Sequence, residues 1–177
     1  MTERMHDDRG LWRKALITVP AITITGSLIG YLSNSGEANA WYAALERPSF
    51  QPPGWAFGAA WTTLYTMMGI ALAVILDTPP SARRRVALAL FGAQLALNFA
   101  WSPLFFGRGM IDVGLLVILA MNVLITMTII AFWKLRPLAG ALLIPYLAWL
   151  CLATALNHET GRLNPGADTA PLGISGA

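Results

Sequence analysis

Long stretches without a charged residue dominate the pattern of polar and apolar positions along this chain. Five of them are about 20 residues or longer, enough to cross a bilayer as a helix. They cover residues 15–36, 48–76, 86–107, 113–133 and 137–158. A helix rises about 1.5 Å per residue, so each stretch can span the roughly 30 Å of hydrocarbon in a membrane. The pattern therefore predicts five membrane-spanning helices, called the first to fifth spans below.

Two other interpretations of these stretches fit the sequence less well. A transmembrane β-barrel needs segments of about ten residues that alternate between polar and apolar, and residues 115–130, LLVILAMNVLITMTII, do not alternate. A secretory signal cleaved near residues 38–40 needs a positive leader and a shorter apolar region, and Asp7 and Asp8 interrupt the leader. We therefore predict an all-α membrane protein, a five-transmembrane-helix bundle. Its single domain covers residues 1–164, and residues 165–177 read as a disordered tail.

Composition and charge agree with a membrane protein. Only 12% of the 177 residues are charged, about half the roughly 25% of a soluble domain. The net charge of +3 does not indicate nucleic-acid binding, because the basic residues are spread between the spans. On the side of the N-terminus are Arg4, Arg9, Arg13, Lys14, Arg83, Arg84, Arg85, Lys134 and Arg136, and on the other side are Arg47, Arg108 and Arg162. This asymmetry predicts a cytoplasmic N-terminus if the protein lies in an inner membrane.

The sequence offers few groups for catalysis or for binding a metal. There are two histidines, no HExxH, CxxC or phosphate-binding glycine motif, and no pair of carboxylates within a span. We predict neither a metal site nor a bound cofactor. An ion-coupled pump normally carries ionisable groups inside its spans, so coupled transport is disfavoured, whereas passive passage of an apolar molecule is not. Asp112, where the fourth span begins, is interpreted as a favourable residue at a helix N-terminus.

Three of the spans place aromatic rings and uncharged polar groups on one helical face. The residues spaced three or four apart are Trp61 and Tyr65 in the second span, Gln94, Asn98 and Trp101 in the third, and Tyr146, Trp149 and Ala153 in the fifth. Such faces predict the walls of a pocket for a flat, apolar ligand with polar edges. The alternative is that the rings form belts at the membrane interface and that the amides join helices.

The connection over residues 33–53 is long and rich in proline. Prolines 48, 52 and 53 cannot continue a helix, although Pro53 can begin the next one. A stiff segment can hold side chains in place at low entropic cost. We therefore hypothesise that this connection is a lid over the pocket, formed by Tyr42, Phe50 and Trp55.

Small residues predict where helices approach closely inside a membrane. Gly26 and Gly30 form a GxxxG pair in the first span. In the third span the small-residue face consists of Ala89, Gly92, Ala93, Ala96 and Ala100. That face either packs within the bundle or forms the seam of a homodimer, and the sequence leaves both alternatives open.

Three blocks resemble the TspO/MBR family of tryptophan-rich sensory proteins: WYAALERPSFQPPGWAFGAAWTTLY at 41–65, QLALNFAWSPLFF at 94–106 and PYLAWLCLATALN at 145–157. With the five spans, the resemblance covers residues 12–164. It implies a five-helix bundle, commonly dimeric, that binds porphyrins such as protoporphyrin IX, or sterol-like and synthetic ligands, under the first loop. The pocket residues that the resemblance implies are Tyr42, Trp61, Tyr65, Asn98, Trp101, Trp149 and Ala153.

The departures from the family pattern are few. Arg47 and Phe50 stand where Lys and Trp are usual, and residues 156–162, LNHETGR, lack the Tyr of a proposed sterol-recognition pattern, so we do not expect sterol binding there.

Three functions stay open. The first is a porphyrin-binding sensor or passive carrier in tetrapyrrole and stress homeostasis. The second is an enzyme that degrades bound porphyrin with light or oxygen, and the third is an assembly partner for other membrane proteins.

Overall fold

The computed structural model describes residues 2–175, with side chains described from residue 10 onward. Every regular element in that range is a helix: α1 Thr2–Leu32, α2 Ala40–Ala43, α3 Gly54–Leu76, α4 Ala82–Arg108, α5 Ile111–Leu135, α6 Pro137–Ala141 and α7 Ile144–Leu163. Five segments are long and apolar enough to cross a membrane: Gly10–Leu32, Gly54–Leu76, Ala82–Arg108, Ile111–Leu135 and Pro137–Leu163. The predicted all-α class and the five spans are confirmed.

Caps and prolines, rather than the positions of charges, decide where these helices begin and end. Helix α3 begins at Gly54 because Pro53, with extended backbone, is its N-cap residue. Helix α4 begins before its uncharged stretch, since the side chain of Ser81 accepts a hydrogen bond from the N–H of Arg84 at 3.1 Å. It ends at Gly109, whose φ of +67° is in the left-handed region that favours glycine.

The fifth span consists of two helices rather than one. Helix α6 ends at Ala141, and α7 begins at Ile144 with Pro145 in its first turn. Proline has no N–H to donate to the carbonyl four residues earlier, so the helical hydrogen bonding is interrupted here. The N–H of Leu143 instead donates to the carbonyl of Gly140 at 3.1 Å. The chain therefore turns between α6 and α7, and α7 extends beyond the predicted end of the span.

Helices α1 and α3 approach closely where glycine removes a side chain. A Cβ atom built on Gly69 would lie 2.6 Å from the Cα of Val19, and a Cβ on Gly26 would lie 2.3 Å from the ring of Tyr65. Between these helices the hydroxyl of Thr18 donates to the carbonyl of Gly69 at 2.7 Å. The prediction that Gly26 marks a close helix contact is confirmed, and both Gly26 and Gly30 line the cavity described below.

The apolar core fills the half of the bundle opposite the 33–53 connection. Phe91 of α4 stacks on Phe132 of α5 with 5.6 Å between ring centroids, among the fully buried Met68 and Ile75 of α3. Helix α5 packs on both α4 and α7, while α3 and α7 make few contacts with each other. The space between α3 and α7 is consequently open in the other half of the bundle.

The small-residue face of α4 points away from the rest of the bundle. Ala89, Gly92, Ala93 and Ala96 are exposed, and Ala100 is half-buried. A Cβ atom built on Gly92 would have no neighbour within 4 Å. The face therefore does not pack within this bundle, and its use as a homodimer seam stays a prediction.

The start of α5 holds the chain that follows α7. The carboxylate of Asp168 accepts hydrogen bonds from the N–H groups of Ile111 and Asp112, at 3.1 and 2.8 Å. These are two of the N–H groups that lack a partner within the helix. As interpreted from the sequence, Asp112 lies in the first turn of α5, and Asp168 caps the same turn.

Residues 165–175 lack a regular helix or strand and are joined by hydrogen bonds to the start of α5; the disorder expected of this tail stays a prediction. The buried carboxylate of Asp112 accepts from the N–H groups of Leu172 at 2.7 Å, Ile174 at 3.3 Å and Ser175 at 3.2 Å, and from the Ser175 hydroxyl. Composition predicted disorder because the tail has little apolar content of its own; its anchor belongs to a helix far earlier in the chain. Residues 176–177 of the predicted tail lie outside the described residues.

Candidate ligand-binding cavity

A cavity of about 660 Å³ lies between α1, α3, α4, α5 and α7, under the 33–53 connection. Its volume is within the range of about 300–1,000 Å³ that is usual for small-molecule sites. All seven pocket residues implied by the resemblance line it: Tyr42, Trp61, Tyr65, Asn98, Trp101, Trp149 and Ala153. The ring-bearing faces of three separate helices thus meet at one space. That these residues bind a ligand stays a prediction.

One wall of the cavity is a group of rings around Trp61. The centroid of Trp61 lies 5.1 Å from that of Tyr65 on the same helix and 6.5 Å from that of Trp149 on α7. The Trp61 and Trp149 rings meet nearly edge to face, at 80°. The ring centroid of Phe57 lies 5.6 Å from that of Trp149, and the two rings meet edge to face. Because these rings brace one another, they offer fixed apolar surface to a molecule in the cavity.

The opposite wall is formed by the end of α4. Trp101 stacks on Phe105 with 4.8 Å between centroids and 13° between ring planes. Phe106 meets both Trp101, at 5.7 Å, and Tyr42 of the connection, at 5.0 Å. The 33–53 connection is therefore joined to α4 by contacts between aromatic rings.

Three buried polar side chains from three helices are joined by hydrogen bonds beside the cavity; Tyr65 and Asn98 line it, whereas Tyr146, predicted on a pocket-facing side of the fifth span, does not. The hydroxyl of Tyr65 donates to Oδ1 of Asn98 at 3.0 Å, and Nδ2 of Asn98 donates to the hydroxyl of Tyr146 at 2.9 Å. The Tyr146 hydroxyl points on to the sulfur of Met121, 3.7 Å away. Asn98 is only 5% exposed, and both ends of its amide have a tyrosine partner. Its main role here is to hold α3, α4 and α7 in a fixed relation.

Two asparagines fasten the 33–53 connection to the helices. The side chain of Asn39 accepts from the N–H of Tyr42 at 3.1 Å and donates to the carbonyl of Phe106 at 2.9 Å. The side chain of Asn164, just after α7, bonds both backbone groups of Glu46, accepting at 2.8 Å and donating at 2.9 Å. The connection is thus held at both α4 and α7, which agrees with the predicted lid.

The lid hypothesis named three aromatic residues, of which two line the cavity. Tyr42 and Trp55 do so, but Phe50 does not and is 49% exposed; its assignment to the lid was wrong. The turn after Pro48 directs Phe50 outward, and Gln51 lines the cavity instead. Its side chain accepts from the Tyr42 hydroxyl at 3.2 Å. Burial raises the pKa of Tyr42, against opposing effects of Arg47 and this hydrogen bond, so the hydroxyl stays protonated and can donate.

Two buried polar atoms at the cavity have no partner within the described part of the chain. They are Nε1 of Trp101, a donor, and Oδ1 of Asn157, an acceptor. Both lie near Gly114 of α5: a Cβ atom built there would be 3.3 Å from Nε1 and 3.0 Å from Oδ1. A buried polar group without a partner is costly. A ligand with an acceptor and a donor along its edge could satisfy both.

Sequence reasoning did not place several of the cavity residues. Asn157 ends the third block and lines the cavity, yet it carried no predicted role; its Nδ2 donates to the carbonyl of Ile111 at 2.9 Å. Ser27 and Gly30 of α1 and Glu37 of the connection also line the cavity. The GxxxG pair was the available signal for α1, and it was interpreted as packing alone. Gln94, by contrast, is fully buried away from the cavity.

The fold and the cavity define an integral, multi-pass membrane protein with an aromatic-lined space inside its helix bundle. The sequence profile of the TspO/MBR family matches residues 16–163, and the chain belongs to that family.

Named relatives resemble nearly the whole chain. The human translocator protein is 38% identical over 155 residues, which are 84% of this chain and 92% of the relative. The tryptophan-rich sensory protein of Cereibacter sphaeroides is 37% identical over 160 residues, 90% of this chain and 95% of the relative. The tryptophan-rich protein TspO of Archaeoglobus fulgidus is 39% identical over 150 residues, 85% and 94% of the two chains. The family resemblance read from the three sequence blocks is confirmed.

Proposed function

We propose that the protein binds porphyrins, or other flat and largely apolar molecules with polar edges, in the cavity, and that it acts as a sensor or a passive carrier for them. The observation that carries this proposal is the convergence of Trp61, Trp101 and Trp149 on one space of about 660 Å³. Flat conjugated molecules gain most from contact with aromatic rings. Nε1 of Trp101 and Oδ1 of Asn157, which have no hydrogen-bond partner among the described residues, would then contact the polar edge of the ligand.

We further propose a cytoplasmic N-terminus for the protein in an inner membrane. At the end of the bundle carrying most of the basic residues, Lys14 pairs with Asp77, and Arg84 donates to the carbonyl of Leu76 at 3.0 Å. The N-terminal end of α1 and the loop between α3 and α4 therefore lie at the same end of the bundle. The predicted orientation requires this, because it counts the basic residues of both segments on one side of the membrane.

A homodimer through the small-residue face of α4 is also proposed. The face is exposed along four of its five residues, and small residues let helices of two copies approach closely in a membrane. Replacing Gly92 with Leu should give a monomer in detergent, measured by analytical ultracentrifugation. A dimer that survives Gly92→Leu would exclude this seam.

Titration of tryptophan fluorescence with protoporphyrin IX tests the binding proposal. Purified protein should show saturable quenching, because a porphyrin beside Trp61 and Trp149 accepts their excitation. Trp61→Phe and Trp149→Phe should each weaken binding by about tenfold or less, since Phe keeps part of the stacking surface. Trp133→Phe is the matched control: Trp133 does not line the cavity, so its replacement should leave affinity unchanged. Absence of saturable quenching in the wild-type protein would refute the proposal.

The two alternative functions predict different behaviour in the same experiments. Degradation of the bound porphyrin would give a stoichiometric product under illumination in the presence of oxygen, and Trp61→Phe with Trp149→Phe would abolish it. An assembly partner would keep its function when cavity residues are replaced and lose it with Gly92→Leu. Binding that is saturable and reversible in light and in darkness, with function dependent on the cavity, favours the sensor or carrier.

A further inference from the structure

One ion pair lies at the mouth of the cavity, in the gap between the 33–53 connection and α3. Arg47 Nη1 and Glu37 Oε1 are 2.8 Å apart. Glu37 is the only charged side chain that lines the cavity among the described residues. Arg47 does not line it, but its guanidinium lies 5.4 Å from the ring centroid of Tyr42, which does. A ligand with a charged group at its edge would therefore meet this pair.

Arg47 is held in place more firmly than Glu37. The backbone of Glu46, the residue before it, is bonded at both its N–H and its carbonyl by the side chain of Asn164, and the following Pro48 is buried. The guanidinium also lies against Tyr42, and its side chain is 35% exposed. Contacts that do not involve Glu37 therefore hold the backbone next to Arg47, and the Tyr42 ring lies beside its guanidinium.

Glu37, in contrast, is more exposed than Arg47 and is held by fewer contacts. Its side chain is 64% exposed, and it follows Gly36, whose φ of +113° and empty surroundings leave the backbone unrestrained by side-chain packing. The carboxylate reaches the first turn of α3, where a Cβ atom built on Gly54 would be 3.6 Å from Oε1. An exposed ion pair contributes little to stability, so separating Glu37 from Arg47 costs little.

We infer that Arg47 is the anchor for a carboxylate of the ligand, and that Glu37 occupies this anchor until a ligand displaces it. The inference rests on the proposed function and names its ligand class: flat molecules that carry a carboxylate at the edge. A guanidinium presents two parallel N–H donors that match a carboxylate. When the pair opens, Glu37 moves into water, Arg47 stays beside Tyr42, and the charge at the mouth of the cavity becomes positive. An acidic ligand is then favoured over a neutral one of the same shape.

Two porphyrins of the same shape but different charge test this inference. Protoporphyrin IX carries two carboxylates, and its dimethyl ester carries none. We expect Arg47→Gln to weaken binding of the diacid by about tenfold or more and to leave binding of the ester unchanged. Glu37→Gln, which removes the competing carboxylate, should tighten binding of the diacid only. Arg47→Lys, which keeps the charge but loses the paired donors, should fall between wild type and Arg47→Gln.

The control is a second exposed ion pair on the same side of the protein. Arg162 Nη2 and Glu159 Oε1 are 2.6 Å apart, and neither residue lines the cavity. Arg162→Gln should therefore change neither the affinity for the diacid nor that for the ester. Equal binding of diacid and ester by wild type and Arg47→Gln would overturn the inference while leaving the proposed function intact. Weaker diacid binding in Glu37→Gln would overturn it as well, because the ion pair would then hold the cavity together. Failure of both porphyrins to bind wild type would refute the proposed function itself.

Discussion

Gly26 of α1 lies so close to the ring of Tyr65 on α3 that a Cβ atom at Gly26 would be 2.3 Å from Cε2 of the tyrosine. The contact fixes the position of a ring that is both a cavity wall and a hydrogen-bond donor to Asn98. A methyl group at this point must displace Tyr65 or separate α1 from α3. The shape of the cavity therefore depends on a glycine as much as on the aromatic residues.

Gly26→Ala should accordingly destabilise the protein by about 1–3 kcal/mol, the usual cost of overpacking, and should also weaken porphyrin binding. Thermal unfolding in detergent and the fluorescence titration measure the two effects. Gly107→Ala is the control, because a Cβ atom there meets nothing within 4 Å and alanine is favoured over glycine in a helix by about 0.5–1 kcal/mol. Equal stability of the two variants would contradict the close contact.

Asn98→Leu should leave the hydroxyls of Tyr65 and Tyr146 without their shared partner. We expect a loss of about 1–2 kcal/mol of stability and weaker ligand binding, since the Tyr65 ring is no longer held in the wall. Asn122→Leu provides the comparison: Asn122 bonds Thr154 between α5 and α7 at 3.0 Å but does not line the cavity. Asn122→Leu should lower the stability of the protein while leaving its affinity for the porphyrin unchanged. Unaltered binding in Asn98→Leu would show that the network does not position the wall.

Trp101→Phe removes the indole N–H donor of Trp101 but keeps an aromatic ring at that position. Phenylalanine can keep the stack on Phe105, and because Nε1 has no protein partner among the described residues, stability should change little. Affinity for a porphyrin that accepts a hydrogen bond should fall by about fivefold to tenfold. Isothermal titration calorimetry of wild type and variant measures the difference. If affinity is unchanged, Nε1 does not contact the ligand.

Asp112→Asn should release the chain that follows α7. Asparagine keeps one acceptor oxygen and replaces the other with an NH2 group, so its donor hydrogens face either the N–H of Leu172, which donates to Oδ2, or that of Ser175, which donates to Oδ1. We expect this lost acceptor to cost about 1.5–3 kcal/mol. Hydrogen exchange of residues 170–175 should become fast, and thermal stability should fall. Glu159→Gln serves as the control, since its partner Arg162 lies at the surface and exposed pairs contribute little. Slow exchange in Asp112→Asn would mean that other contacts hold this segment.

Local sequence features determined the five spans and the composition of their faces. Charge-free length fixes which segments can cross hydrocarbon, and helical periodicity fixes which residues share a face, as with Trp61 and Tyr65. The three blocks that resemble the TspO/MBR family identified the residues that line the cavity. These properties depend on neighbours within a few turns of one helix.

Only the tertiary structure decided how those faces are oriented and what each polar group contacts. The rotation of α3 against α1 follows from the close contact of Gly69 with Val19, and the amide of Asn98 is satisfied by tyrosines far away in the chain. The outward direction of Phe50 and the capture of the C-terminal segment by Asp112 are likewise long-range results. Each depends on contacts between helices, which the pattern along a single helix does not specify, because many relative rotations bury the same apolar residues equally well.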